Sequence, residues 1–232
     1  MTDPLTHIQL IGFDADDTLW LNSVYFIRAE QALAQILAPY IDARQLHVEL
    51  TGTEVKNLPL YGYGVMAYTL SMMETALRTS QGHLDARNME DILQIGRSML
   101  QERVQLYPGV KETLSALSRQ YPLILITKGN MLDQERKLKN SGLAGYFDHI
   151  EIVSEKHPEQ YRQILERLGV APENFLMVGN SYKSDIAPVL EIGAQAIHTQ
   201  DESVWEWEKC ERPEHCLHEV SVLTELLPLL GL

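Results

Sequence analysis

Ile8-Gln9-Leu10-Ile11-Gly12-Phe13-Asp14-Ala15-Asp16-Asp17-Thr18-Leu19-Trp20 is the stretch on which the fold is decided. An apolar run of strand length leads directly into three carboxylates within four positions. A continuous apolar run suits a strand covered on both faces, so the acids stand where the chain leaves a sheet. Like charges this close repel unless something positive sits among them. A divalent metal meets that need, because hard oxygen ligands suit magnesium.

Four further apolar runs read as strands: Leu123–Thr127, His149–Val153, Phe175–Gly179 and Ala194–His198. Helical segments separate them. Pro108 opens one, with Val110, Leu114 and Leu117 on one face, and Met131 to Asn140 forms the next, ending near Gly142. Pro158 opens a third, carrying Tyr161, Ile164, Leu165 and Leu168, and Ser184 to Ile192 closes the series before Gly193. Strand alternating with helix predicts a doubly wound parallel α/β sheet of Rossmann-like form.

The segment 21–105 breaks this alternation, since connections in such folds take only a few residues. Three sets of apolar residues recur there at helical spacing: Ile27, Leu33, Ile36 and Leu37; Met66, Leu70, Met73 and Leu77; Ile92, Ile95, Met99 and Leu100. An all-helical domain over 21–105 is expected, inserted into an α/β core made of 1–20 and 106–232. The methionine-rich stripe is read as core packing, with the lining of a substrate pocket as the sharper reading. Tyr61-Gly62-Tyr63-Gly64 reads equally as a mobile substrate loop or as an ordinary turn between helices.

Composition limits the partners. The formal net charge of −13 argues against broad nucleic-acid binding, which rests on neutralising phosphates with Lys and Arg. A small phosphate ligand needs only a local positive site. No apolar run reaches membrane-spanning length, and Met1 to His7 lacks the basic-then-apolar pattern of a signal peptide. The two cysteines, Cys210 and Cys216, give no disulfide framework. A cytoplasmic protein, monomer or homodimer, is expected. Cys210, His215, Cys216 and His218 cluster in the tail without the paired spacing of a zinc site, so a surface segment is the simpler reading. Trp205 and Trp207 flank Glu206, one ring expected inward.

In open α/β sheets ligands bind beyond the carboxyl ends of the strands. After the successive strands come Asp14, Asp16 and Asp17; Thr127, Lys128, Gly129 and Asn130; Ser154, Glu155, Lys156 and His157; Asn180, Ser181, Lys183, Ser184 and Asp185; then His198 and Thr199. Carboxylates, a hydroxyl, ammonium groups and a glycine turn on one edge suit a phosphoryl group held with magnesium.

These residues carry a resemblance. Asp14-Ala15-Asp16-Asp17-Thr18-Leu19, Thr127-Lys128-Gly129, Lys156 before Pro158, and Gly179-Asn180-Ser181 through Asp185 resemble, in order, the four motifs of the haloacid dehalogenase superfamily. The long segment after the first motif is similar to that family's helical cap. The resemblance implies Asp14 as nucleophile, Asp16 as general acid and base, and Thr127, Lys128, Gly129 and Lys156 around the phosphate. It implies magnesium held by Asp14, the backbone carbonyl of Asp16 and Asp185, with Asn180 at the metal directly, through water or by orienting a ligand, and a small phosphorylated metabolite as substrate. Two positions depart from the pattern: Asn180 stands where an acid is common, and Lys128 where a small polar residue is common. Lys128 is expected either to add charge at the phosphate or, the preferred reading, to point to solvent. Asp17 is expected to brace the turn, and Lys183 to form a surface pair with Asp185. Asp16 favours phosphate ester hydrolysis over a dehalogenase, whose halide needs no acid, and over a phosphonate hydrolase, for which the insert offers only Lys56. A phosphomutase-type transferase shares both aspartates, and a weakly active binding protein is the alternative outside enzymes.

Overall fold

The computed structural model describes residues 4–199, 210–213 and 218–232. The chain forms two compact units, 1–21 with 104–232, and Asn22–Arg103.

The first unit is a six-stranded sheet in the order β3-β2-β1-β4-β5-β6, with every neighbouring pair parallel. Its strands are β1 (Leu10–Phe13), β2 (Leu123–Lys128), β3 (His149–Val153), β4 (Phe175–Gly179), β5 (Gln195–Thr199) and β6 (His218–Val220). The central strands β1 and β4 are buried along their whole length, which is why they read as unbroken apolar runs. Alternate residues feed opposite faces. Ile11, Phe13, Leu123, Leu125, Leu176, Val178 and Ile197 pack on one side, with α5 (Val110–Leu117) and α6 (Met131–Ser141) supplying Leu114 and Leu138. Leu10, Ile124, Ile126, Phe175, Met177 and Ala196 pack on the other, against Tyr161, Ile164 and Leu165 of α7 (Pro158–Leu168). Gly12 is needed in β1: a Cβ there would lie 2.6 Å from the Phe175 ring.

The fold class is the Rossmann-like one expected, with local differences: Pro108 lies in a turn and α5 begins only at Val110, after Gly109 at positive φ. The helix expected over Ser184 to Ile192 starts as a π-helical turn, Tyr182–Ile186, and continues as α8 (Ala187–Glu191). The chain ends in a 3₁₀ turn, Leu223–Glu225, and the short α9 (Leu226–Leu229), where Pro228 cannot donate into a longer ladder. Three-residue β6 is too short to carry a readable pattern. No helix among the described residues is long and apolar enough to cross a membrane. Cys210 is exposed and His218 opens β6; Trp205, Trp207, His215 and Cys216 lie outside the described residues.

The second unit holds α1 (Ser23–Leu37), α2 (Ala43–Tyr61), α3 (Val65–Thr79) and α4 (Ala86–Gln101). Its core is Ala29, Leu33, Leu37, Leu46, Leu50, Tyr68, Met72, Ala76 and Ile92. Here the apolar periodicity misleads. Ile27, Met66, Leu70 and Leu77 are exposed, and only Met73 of the methionine-rich stripe packs against the core. The reason is polar packing. Asn57 donates to the Ser71 hydroxyl at 3.1 Å and Thr75 to Thr53 at 3.0 Å, so α2 and α3 turn hydroxyl and amide groups toward each other and rotate the stripe outward. The Tyr61-Gly62-Tyr63-Gly64 segment is the turn between α2 and α3, with both glycines at positive φ.

Candidate active site

The sheet order places the ends of β1, β2 and β4 side by side, and the chain's acidic and basic groups gather there. Asp14 follows β1 directly, and its backbone N–H is held by the Val178 carbonyl of β4 at 2.9 Å. The turn then closes at Asp17, whose φ of 60° lies in the left-handed region that Asp tolerates better than most residues. Asp17 N–H donates to the Trp20 carbonyl at 2.8 Å.

Lys156 arrives from the loop after β3, just before α7 begins at Pro158. Its ammonium donates to Asp14 Oδ1 at 2.5 Å and to Asp185 Oδ1 at 2.6 Å, and all three side chains are buried. Asp185 reaches this point because the π-helical turn carries it back over the end of β4. Ser181 N–H donates to its Oδ2 at 3.0 Å, and Gly179 leaves room, since a Cβ there would fall 2.4 Å from the Asp185 carboxyl carbon. The ammonium partner of Asp185 is therefore Lys156; Lys183 is exposed.

Asn180 joins the group through Thr18. The Asn180 backbone N–H donates to Thr18 Oγ1 at 3.1 Å, and that hydroxyl lies 3.0 Å from Asp14 Oδ2 and 3.3 Å from Asn180 Oδ1. One hydroxyl has one proton, and the shorter contact to a carboxylate is the stronger. The amide oxygen of Asn180 is thus left with only the weaker claim on Thr18. His198 fixes the same loop from behind. Its Nε2 meets the Asn180 carbonyl at 2.9 Å while its ring stacks on Tyr182 with centroids 3.9 Å apart. Burial lowers the His198 pKa, and Nε2 carries the proton that it gives to the carbonyl, since a carbonyl oxygen can only accept. The sequence marks Thr18 only as a member of the first motif and His198 only as a residue at a strand end, without a role for either.

Thr127 is buried at the end of β2, and Lys128 is half-buried, its ammonium donating to Ser184 Oγ at 2.9 Å. The solvent-pointing reading of Lys128 is overturned: Ser184, brought over by the π-helical turn, takes the ammonium. Gly129 has a φ of +145°, and a Cβ there would lie 2.7 Å from the Gln134 amide nitrogen. Asp16 points elsewhere than Asp14. Its carboxylate accepts from Trp20 Nε1, Gln134 Nε2 and Lys137 Nζ.

The electrostatics follow from two buried carboxylates sharing one ammonium. Burial pushes Asp14 up to about 7, against the pull of Lys156 and with a further push from Asp185. Burial alone would lower Lys156, but Asp14 and Asp185 beside it outweigh that and raise it above the usual lysine value. With both carboxylates ionised the site would hold one negative charge more than Lys156 offsets, and burial resists that state in the absence of a further cation. Among the described residues no three His, Cys, Asp or Glu side chains gather as a metal cluster. The side-chain oxygens gathered here are those of two carboxylates and the Asn180 amide. An all-oxygen set with uncompensated charge fits a hard divalent cation such as magnesium and does not fit zinc.

Similar proteins agree with this architecture. A solved hydrolase of the haloacid dehalogenase-like family from Xanthomonas campestris is 38% identical, with a TM-score of 0.82 over 96% of this chain and 92% of that one. The N-acylneuraminate-9-phosphatase of Rattus norvegicus is 28% identical over 203 residues, covering 83% of this chain and 82% of its own. The glyceraldehyde 3-phosphate phosphatase of Methanothermobacter thermautotrophicus is 25% identical, covering 84% and 87%. The family model of the haloacid dehalogenase-like hydrolases matches residues 8–193. With that match spanning the motifs at the ends of β1 to β4, the chain belongs to the haloacid dehalogenase-like hydrolase family.

Proposed function

We propose that the protein is a magnesium-dependent phosphomonoester hydrolase acting on a small phosphorylated metabolite, with Asp14 as nucleophile and Asp16 as acid and base. The observation that carries this reading is the bridge from Asp14 through Lys156 to Asp185, with a second carboxylate two residues after the first. The named relatives, phosphatases of N-acylneuraminate 9-phosphate and glyceraldehyde 3-phosphate, support a small phosphate ester as substrate.

The residues divide the work as follows. A carboxylate oxygen of Asp14 forms a bond to phosphorus as the ester oxygen leaves, and Asp16 gives that oxygen its proton. Water then attacks the aspartyl-phosphate and passes a proton to Asp16, and the bond from Asp14 to phosphorus breaks. Inorganic phosphate is released and both aspartates return to their starting forms. Lys156 offsets charge on the phosphoryl oxygens and fixes the orientation of Asp14. Thr127 and the turn through Lys128 and Gly129 bind the phosphoryl oxygens. Asp14, the Asp16 carbonyl, Asp185 and Asn180 would hold magnesium, which when bound neutralises phosphate charge. The helical unit, proposed as a cap domain over 21–105, is where we place the choice of leaving group.

The test is hydrolysis of p-nitrophenyl phosphate and then of a panel of metabolite phosphates, with magnesium and with chelator. Magnesium-dependent release of phosphate, reduced at least 10³-fold in Asp14→Asn, is expected from the loss of a covalent nucleophile. No turnover on the whole panel, or turnover indifferent to Asp14→Asn, would refute the reading.

A further inference from the structure

Helix α6 puts two side chains on Asp16 that the chemistry above does not use. Gln134 and Lys137 are three residues apart, so they share a face of the helix. Lys137 Nζ lies 2.9 Å from Asp16 Oδ1 and 3.0 Å from Oδ2. Gln134 Nε2 donates to Oδ2 at 2.8 Å, and Trp20 Nε1 donates to Oδ1 at 2.6 Å. Each oxygen of Asp16 thus has one donor of its own, and Lys137 spans both.

The arrangement is built rather than incidental. The Lys137 and Asp16 side chains are only 18% and 21% exposed, unlike an open-surface pair. Trp20 is fully buried and Gln134 nearly so. Gln134 is seated over Gly129 and also donates to the Lys128 carbonyl at 2.9 Å. Its amide can face only one way, because the reverse would set its oxygen against a carboxylate and a carbonyl. That orientation leaves Gln134 Oε1 buried without a partner, a cost of the kind found where a group is held for function.

We propose that Lys137, Gln134 and Trp20 clamp Asp16 and position it for proton transfer, with Lys137 as the member shared by both oxygens; this rests on the reading of Asp16 as acid and base. A carboxylate on a turn has two free torsions, and a general acid works only within hydrogen-bond reach of the atom it protonates. Trp20 and Gln134 hold the plane of the carboxylate through one oxygen each. Lys137 can withdraw from one oxygen when that oxygen carries the proton, without the carboxyl group losing its direction. Lys137, Gln134 and Trp20 are positioning residues, acting through Asp16.

The test compares two monoesters on the full-length protein with magnesium. Glycerol 2-phosphate has an alkoxide leaving group that needs a proton, whereas 2,4-dinitrophenyl phosphate has one that departs without it. In Lys137→Met the kcat ratio of the alkyl to the aryl ester is expected to fall about tenfold or more, and Lys137→Arg is expected to restore most of it. Equal losses on both esters, as misfolding would give, overturn the proposal. So does a rise in KM on both esters with the kcat ratio unchanged, which would make Lys137 a phosphate ligand. Asp16→Asn is measured beside them. If it moves the ratio while Lys137→Met does not, the clamp alone fails; if neither moves it, the acid–base reading of Asp16 fails first.

Discussion

Asp14 is a buried acid whose charge is only partly met by Lys156, and this has a measurable consequence in the metal-free protein. Its pKa stands at about 7 when folded against 3.8 for the free side chain, chiefly through burial. The folded state therefore holds this proton more tightly than the unfolded state does. The stabilisation is complete below about pH 4, is lost as pH rises toward 7, and changes no further above that. Asn at this position does not titrate. The melting temperature of chelator-treated Asp14→Asn, relative to the parent protein, should rise between pH 5 and pH 8. A difference that stays constant across that range would show that Asp14 is not held in this way. The position was legible in the sequence as one of three clustered acids. Its separation from Asp16 was not, because it depends on Trp20, Gln134 and Lys137, and the last two lie on a helix far along the chain.

At the scale of the element, the π-helical turn after β4 does work that no regular helix start would do. It returns Asp185 over the strand end to meet Lys156, and it presents Ser184 to Lys128. The return path runs directly over Gly179, where a Cβ would stand 2.4 Å from both the carboxyl carbon and Oδ2 of Asp185. Gly179→Ala must therefore push Asp185 away from Lys156. A cost of about 1–3 kcal/mol is expected for overpacking a filled site, with the proposed magnesium binding weakened at least tenfold. Urea unfolding and a magnesium titration followed by thermal shift check the two effects separately. An alanine variant with unchanged magnesium affinity would show that Asp185 is not a metal ligand. The apolar runs revealed the strands because central strands are buried on both faces. The π-helical turn had no such signature, since it arises from contacts of Ser181, Asp185 and Gly179 and not from periodicity.

On the scale of the whole molecule, two cores of different character serve one chain. The α/β unit is layered around its sheet by apolar side chains from both faces. The helical unit has an apolar core around Leu33 and Met72, and beside it a buried polar seam of Thr53, Asn57, Ser71 and Thr75. No tryptophan falls within Asn22–Arg103 and Trp20 is buried in the α/β core, so fluorescence does not report directly on the helical unit, while circular dichroism follows both. Leu33→Ala should cost about 2–5 kcal/mol through the cavity it leaves. Its dichroism transition in urea should then begin before its fluorescence transition. Coincident transitions would mean that the two units unfold as one cooperative body.

The sequence by itself determined the parallel sheet, the order of its strand-end motifs and the family, because each rests on local signals: unbroken apolar runs, helix starts and stops, and short runs of charged residues. The tertiary structure alone decided which polar groups meet. It turned Lys128 to Ser184, placed Thr18 between Asp14 and Asn180, set Gln134 and Lys137 on Asp16, and turned Met66, Leu70 and Leu77 outward in favour of hydrogen-bonded Asn57 and Thr75. Periodicity records how much of a face is apolar. It does not record whether a polar group has a partner from a distant part of the chain, and in both units that pairing fixed the geometry.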